Sequence, residues 1–145
     1  MISGDKIGNM EEEIIHESSS RKANRHPVTQ EEIDDILTNE LKDFVFPVKP
    51  VYNSRIWANG MTTGHVYKWG QLKSGTLSIH IGKQDSPARQ FLVDTLLHEY
   101  YEAQILINQY TDDFFKKLSR LGNNAQHEWI YAQINKFFKD QEGEK

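Results

Sequence analysis

The spacing of apolar and polar positions changes along the chain and divides it into three regions. Residues 1–26 are mostly polar, with Ile14-Ile15 as their one apolar pair of note, which predicts a disordered tail or a linker from a longer chain. Residues 27–140 carry regularly spaced apolar positions, and this predicts one folded domain. Residues 141–145 are polar again, so we expect them to fray.

The first part of the predicted domain combines one helix with three strands. Thr29 and Glu32 have the spacing of a capping box, in which each side chain accepts a hydrogen bond from a free amide at the helix start. Apolar residues then recur at helical intervals to about Phe44. Between Val51 and Gly82, short β-branched and aromatic segments alternate with turns. This pattern predicts a small antiparallel sheet of three strands, in the segments VYNSRIW, GHVYKW and TLSIHIG.

The second half of the domain is predicted to be helical. Ser86 and Pro87 are typical of a helix start, and neither glycine nor proline follows before Tyr110, which predicts one long central helix. Its apolar residues lie on more than one side, as in a helix surrounded by the core. A second helix is expected between Thr111 and Gly122, with four residues facing inward: Phe114, Phe115, Leu118 and Leu121. A last helix is expected after a turn at Asn123-Asn124.

Charge and composition exclude several classes of protein. Seventeen Lys and Arg against 21 Asp and Glu give a formal net charge of −4, which argues against a nucleic-acid partner. The chain has no cysteine, so disulfides, thiolate zinc sites and cysteine nucleophiles are excluded, and a cytoplasmic location is expected. No apolar run approaches the roughly 20 residues that a membrane-spanning helix requires, so no membrane partner is expected.

The middle of the predicted central helix carries an unusual group of polar residues, in the segment LHEYYEA. His98 and Glu102 are four residues apart, so both project from one face of the helix and can bind one ion. Glu99 lies beside that face, where it can reach a metal-bound water and act as a general base. The pattern is HExxE, whereas the helix of the standard zinc proteases reads HExxH.

Four further considerations favour a metal site and a hydrolase. A charged cluster inside an apolar helix is costly unless it is paired or metal-bound. His127, on the last predicted helix, can supply a third ligand, and with His98 and Glu102 it would complete the His₂Glu set that catalytic zinc accepts. Tyr100 or Tyr101 could stabilise a developing oxyanion. The preceding strand, SIHIG, could hold an extended peptide substrate by main-chain hydrogen bonds.

Each of these residues also has an interpretation without a metal. His98 and Glu102 can form a hydrogen-bonded pair on one helix face, His127 can be a polar residue near a helix start, and Glu99 can be a solvated charge. A structural role is expected for the two histidines on predicted strands, His65 and His80. The three tryptophans are expected to pack in or around the core: Trp57, Trp69 and Trp129.

A longer part of the chain resembles a known family. The segment FLVDTLLHEYYEA is similar to the active-site helix of SprT-like metallopeptidases, which reads approximately xLxxTLLHExxHA. The later segment NAQHEWIYAQINKF is similar to that family's HGxxFxxxMxxIN, whose histidine is the third zinc ligand and corresponds to His127. The segments SRIWANGMTTGHVYKW and TLSIHIG stand where that family has a hairpin before the helix. The resemblance covers roughly residues 51–138.

The chain departs from the family's pattern in four ways. Glu102 stands where the family has its second histidine, and Glu128 stands where a glycine follows the third. The spacing between the ligand helices is longer than is usual in the family. The cysteine-rich zinc ribbon that many members append has no counterpart in a chain without cysteine.

The resemblance implies an α+β, zincin-like fold: an N-terminal packing helix, a small three-stranded sheet, the metal-site helix and two C-terminal helices. It implies a zinc-dependent metallopeptidase that hydrolyses peptide bonds in a protein or peptide substrate. Two alternatives stay open. The chain can be a degenerate zincin fold that serves as a binding or structural module, or a toxin, phage or mobile-element effector domain cut from a longer chain.

Overall fold

The computed structural model describes residues 11–17, 25–67 and 70–143. Within these ranges the protein has a mixed α+β fold, in which helices pack against a four-stranded sheet. The elements in chain order are β1 (Glu11–Glu17), α1 (Gln30–Thr38), β2 (Val51–Tyr52), β3 (Gly60–Tyr67), β4 (Ser78–Ile81), α2 (Arg89–Asn108), α3 (Asp113–Leu121) and α4 (Asn123–Gly143). The predicted α+β class is confirmed, and the sheet has one strand more than predicted. The predictions for residues 1–10, 18–24, Trp69 and 144–145 lie outside the described residues.

The strands lie side by side in the order β1-β3-β4-β2. β3 pairs antiparallel with β1 and with β4, whereas β2 pairs parallel with β4. The prediction of an entirely antiparallel sheet is therefore wrong for β2. β3 lies between β2 and β4 in the sequence, so β2 and β4 are not joined by a hairpin, and their long connection allows the parallel pairing. At His80 and Ile81, β4 has a neighbour on both sides. At these two residues β4 therefore lacks the free main-chain groups that we expected the segment SIHIG to offer to an extended peptide.

The strand β1 overturns the prediction of a disordered tail at residues 11–17. All seven residues pair with β3, from Glu11 opposite Tyr67 to Glu17 opposite Met61. A polar segment can form such a strand because the pairing uses main-chain amides and carbonyls, which a hydropathy pattern does not record.

The end of the predicted tail is also held in place. The Arg25 guanidinium donates hydrogen bonds to the carbonyls of Trp57 and Lys83. His26 exchanges main-chain hydrogen bonds with Gln84, at the end of the loop that follows β4. The ordered part of the chain therefore begins before Pro27.

The helix α1 begins where the sequence predicts and ends earlier. The Thr29 side chain accepts a hydrogen bond from the Glu32 amide, and the Glu32 carboxylate accepts one from the Thr29 amide, which confirms the capping box. The helix ends at Thr38 rather than near Phe44, because Asn39 leaves the helical conformation with φ −107° and ψ −82°. The residues after it form turns.

The helix α2 is the centre of the core, and it confirms the prediction of one unbroken helix. It begins at Arg89 rather than Ser86, because the Ser86 hydroxyl accepts a hydrogen bond from the Ala88 amide and forms a turn before the helix. The Arg89 guanidinium contacts the carboxylate of Glu40, which follows α1, and holds the pKa of Glu40 below its ordinary value. Eleven residues of α2 are buried, on most sides of the helix.

Small residues on β3 let α2 approach the sheet closely. Alternate residues of β3 are buried, beginning with Gly60, Thr62 and Gly64. A Cβ atom at Gly60 would lie 2.7 Å from the Glu99 Cγ, and one at Gly64 would lie 3.2 Å from the Leu106 Cδ2. Larger residues at these two positions would push the helix off the strand.

The helix α3 is short and packs on one side only. Asp112 caps it by accepting a hydrogen bond from the Phe115 amide, and Gly122 ends it at φ +100°, as the sequence predicts. Leu118 is its buried residue. Phe114 and Leu121 are 50% and 65% exposed, so the prediction that they face inward is wrong.

The helix α4 starts directly after Gly122 and continues to Gly143. The turn predicted at Asn123-Asn124 is part of the helix, and so are residues 141–143, which were expected to fray. Ile130 and Ile134 are buried against the core. Within the described ranges, none of the helices combines the length and apolar character needed to cross a membrane.

The close packing of β3 on α2 can be tested with the variant Gly64→Ala. The added methyl group would lie 2.8 Å from the Leu72 Cδ1 and 3.2 Å from the Leu106 Cδ2, so we expect a loss of about 1–3 kcal/mol in the free energy of unfolding. The control is Gly143→Ala, where no atom lies within 4 Å of the new Cβ and no loss is expected. Urea unfolding followed by circular dichroism measures both, and equal stability of the two variants would contradict this packing.

Candidate metal centre

The three predicted metal ligands converge at one point between α2 and α4. His98 and Glu102 project from the same face of α2, and His127 approaches from the first turns of α4. The Glu102 Oε1 lies 3.6 Å from the Nε2 of His98 and 3.6 Å from the Nε2 of His127. The centroids of the two imidazole rings are 5.3 Å apart. The predicted convergence of these residues is confirmed.

The spacing of the ligand atoms fits a metal ion better than direct hydrogen bonding. One ligand atom of each residue lies within 4.8 Å of the other two. Tetrahedral zinc with bonds of about 2.0–2.1 Å holds its ligand atoms about 3.3 Å apart. The two separations of 3.6 Å between Glu102 Oε1 and the imidazole nitrogens are close to that spacing and exceed hydrogen-bond length.

The orientation of His127 is fixed by its own helix. Its Nδ1 lies 2.9 Å from the carbonyl oxygen of Asn123, one turn earlier in α4. A carbonyl oxygen only accepts, so Nδ1 donates this hydrogen bond, and Nε2 is the ring nitrogen that faces Glu102. Metal-binding histidines are held by this kind of hydrogen bond on the second nitrogen.

The burial of the triad leaves access from one side. The side chains of His98 and Glu102 are 5% and 2% exposed, whereas that of His127 is 23% exposed. His127 lines an open cleft of about 560 Å³ together with five other residues: Glu17, Asn123, Asn124, Glu128 and Tyr131. A metal ion held by these three side chains would therefore have two buried ligands and one ligand that lines the cleft.

Glu99 is fully buried against β3, so the interpretation of this residue as a solvated charge is wrong. Its Oε1 accepts a hydrogen bond of 2.8 Å from the Thr62 hydroxyl. Gly60 leaves room for the rest of the side chain, since a Cβ there would lie 2.7 Å from the Glu99 Oε2. The first glutamate of the HExxE pattern is thus held in one orientation, one residue along α2 from the candidate ligand His98.

Tyr100 and Tyr101 lie in an aromatic cluster on another side of α2. The Tyr100 ring packs against Phe44 and Phe46, with centroid distances of 5.2 and 5.1 Å. The Tyr101 ring packs edge-on against Trp129 at 5.4 Å, which also confirms the packing role of that tryptophan. Burial raises the pKa of the Tyr101 hydroxyl, and Tyr100 adds to the effect. The structure therefore assigns packing roles to the two tyrosines that we expected beside the metal.

Tyr131 is the tyrosine that the structure places beside the ligands. Its ring centroid lies 5.9 Å from that of His98 and 6.0 Å from that of His127, and the residue is 48% exposed at the cleft. The sequence analysis missed it, although Tyr131 follows His127 by four residues and so shares its helix face. The other two histidines considered, His65 and His80, lie on β3 and β4 and are not part of the triad.

Metal titration tests the triad. We expect the metal-free protein to bind one zinc ion. Loss of a residue that only hydrogen-bonds to a metal ligand weakens metal binding by roughly 10- to 100-fold, so His127→Ala, which removes a ligand, should weaken zinc binding by more than that. Glu102→His should keep or strengthen binding, because imidazole suits zinc well. His65→Ala is the matched control and should bind as the wild type does. Isothermal titration calorimetry measures all four, and a control that loses as much affinity as His127→Ala would rule out this site.

Comparison with known proteins adds no relative from which the function could be transferred. No family model, no curated protein and no solved structure matches the chain significantly.

Proposed function

We propose that this protein is a zinc-dependent metallopeptidase, similar to the SprT-like family, that hydrolyses peptide bonds. The observation that carries the proposal is the convergence of His98, Glu102 and His127 beside a second buried carboxylate, Glu99. A triad alone would suit a structural ion. The additional carboxylate and the open cleft give this site what a hydrolase needs: a proton acceptor and access for a substrate.

The proposed ligand set is His98, Glu102 and His127. Two imidazoles and one carboxylate are an accepted set for catalytic zinc, and they leave one coordination position for chemistry. Bound zinc would supply Lewis-acid chemistry, by making water acidic enough to attack at neutral pH and by polarising the peptide carbonyl. The absence of cysteine means that imidazole and carboxylate are the strong zinc ligands this chain has, and a reducing, cytoplasmic environment would suit it.

Glu99 is the proposed general base. It takes the proton from the attacking water as the new carbon–oxygen bond forms, and it delivers that proton to the amine nitrogen as the carbon–nitrogen bond breaks. The Thr62 hydroxyl holds the carboxylate in place from β3. Thr62 is thus a positioning residue, which acts through Glu99.

Tyr131 is the proposed donor to the oxyanion. Its ring borders both ligand imidazoles, and it is partly exposed at the cleft where a substrate would bind. A phenol hydroxyl there can donate a hydrogen bond to the carbonyl oxygen as that oxygen gains charge. This role replaces the one that the sequence suggested for Tyr100 and Tyr101.

The variant Glu99→Gln separates catalysis from metal binding. Glutamine keeps the size of the side chain and removes the proton acceptor, so we expect zinc affinity within a few-fold of the wild type and a kcat lowered by about 100-fold or more. The measurement is hydrolysis of casein and of quenched fluorescent peptides by the zinc-loaded protein, with calorimetry for zinc. If the wild type binds no zinc at micromolar concentration whereas Glu102→His does, the chain is a degenerate zincin and not an enzyme.

The variant Tyr131→Phe tests the oxyanion donor. It keeps the ring that packs beside the imidazoles and removes the hydroxyl, so kcat should fall by about 100-fold while KM and zinc affinity stay nearly constant. Tyr110→Phe, two residues after the end of α2, is the matched control and should retain full kcat. A change in KM alone would show that Tyr131 only binds substrate, which would contradict the assigned role.

A further inference from the structure

The edge of the sheet nearest the metal centre is filled by the chain's own N-terminal strand. β3 packs on α2 beside the metal ligands, with Gly60 and Thr62 against Glu99. On its inner side β3 pairs with β4, and on its outer side it pairs with β1. β1 is the last strand on that side of the sheet. It therefore lies where a peptide would pair with β3.

The register of β1 brings its end to the catalytic cleft. Glu17, the last residue of β1, pairs with Met61, the neighbour of Gly60. Glu17 also lines the cleft that contains His127 and Tyr131. A strand in this position runs along β3 and reaches the metal centre at its carboxyl end. This is the path of an extended peptide whose scissile bond lies at the metal.

We propose that β1 occupies the binding position of an extended peptide substrate and competes with it. The proposal rests on the metallopeptidase function argued above. The substrate would be an unfolded or extended segment of a polypeptide, bound antiparallel to β3 through main-chain hydrogen bonds, with β1 displaced. The chain therefore carries its own competitive inhibitor.

The composition of β1 fits a strand that can be displaced. Its sequence is EEEIIHE, and glutamate is among the residues that strands disfavour. Ile15 is 50% exposed, so it contributes little burial of apolar surface. The main-chain ladder with β3 pairs all seven residues of β1, and an extended peptide of many sequences can form an equivalent ladder. Among the described strands, β4 has β2 beside it at His80 and Ile81, and β2, at the opposite edge of the sheet from β1, has two residues.

The experiment measures binding of a fluorescently labelled synthetic peptide with the sequence EEEIIHE to the full chain, without zinc. In the double variant Ile14→Pro/Ile15→Pro, proline removes two strand amides, so β1 should leave β3. A tethered strand competes at an effective concentration of about millimolar, and its release should tighten peptide binding at least tenfold over the wild type. The matched control, Ile14→Val/Ile15→Val, keeps strand-forming residues and should bind as the wild type does.

A second variant covers the case in which the proline variant fails to fold. Ile15 and Thr63 are partners in the ladder, and the chain has no other cysteine, so Ile15→Cys/Thr63→Cys can be oxidised to lock β1 in place. The reduced form should bind the peptide at least tenfold more tightly than the oxidised form.

The outcomes separate this proposal from the enzymatic one. Equal peptide affinity with β1 locked and released would overturn it, and would indicate that a peptide adds to the outer edge of β1 or elsewhere. Absence of binding to the released form would overturn it as well. If release of β1 tightens peptide binding but the zinc-loaded variant hydrolyses nothing, the proposed peptidase function fails while the competing role of β1 stands.

Discussion

Two carboxylates buried in the middle of α2 impose the constraint around which the rest of the structure is arranged. Glu99 and Glu102 are 0% and 1% exposed, and a carboxylate in such surroundings is costly unless it is paired or hydrogen-bonded. Two parts of the fold supply polar partners that offset this cost. The sheet supplies the Thr62 hydroxyl to Glu99, and the two helices supply imidazoles to Glu102. A fold built only for stability would place apolar residues at these positions, since such replacements are often neutral or stabilising.

Two glycines and one main-chain carbonyl bring these partners together. On β3, Gly60 gives the Glu99 side chain the space it occupies, so the strand can lie directly on the helix. After α2, the short helix α3 ends at Gly122, whose positive φ turns the chain so that α4 starts at once. His127 then falls within the first turns of α4, and the Asn123 carbonyl orients its ring. The distance between the ligands along the chain is thus set by one short helix.

The sequence predicts the parts of this site that depend on helical periodicity. His98 and Glu102 share a helix face by their spacing, and their convergence with His127 follows once the helices pair. Helical periodicity does not predict which side of a buried helix faces a cleft. Tyr100 and Tyr101 show this, because the structure packs them against aromatic neighbours. β1 shows a second limit. Its pairing with β3 is made by the main chain, and a pattern of glutamates carries no signal for it.

A carboxylate at position 102 affects what a metal ion would do for the fold. With three ligands on two helices, an ion joins α2 to α4, and binding to the folded state alone stabilises it by about 2.7 kcal/mol at a concentration 100 times the dissociation constant. A carboxylate ligand brings a negative charge that offsets part of the charge of a divalent cation in a buried place, where an uncompensated charge is costly. Glu102 is 2% exposed at its side chain and lies between the two imidazoles. The least exposed of the three candidate ligands is therefore the carboxylate.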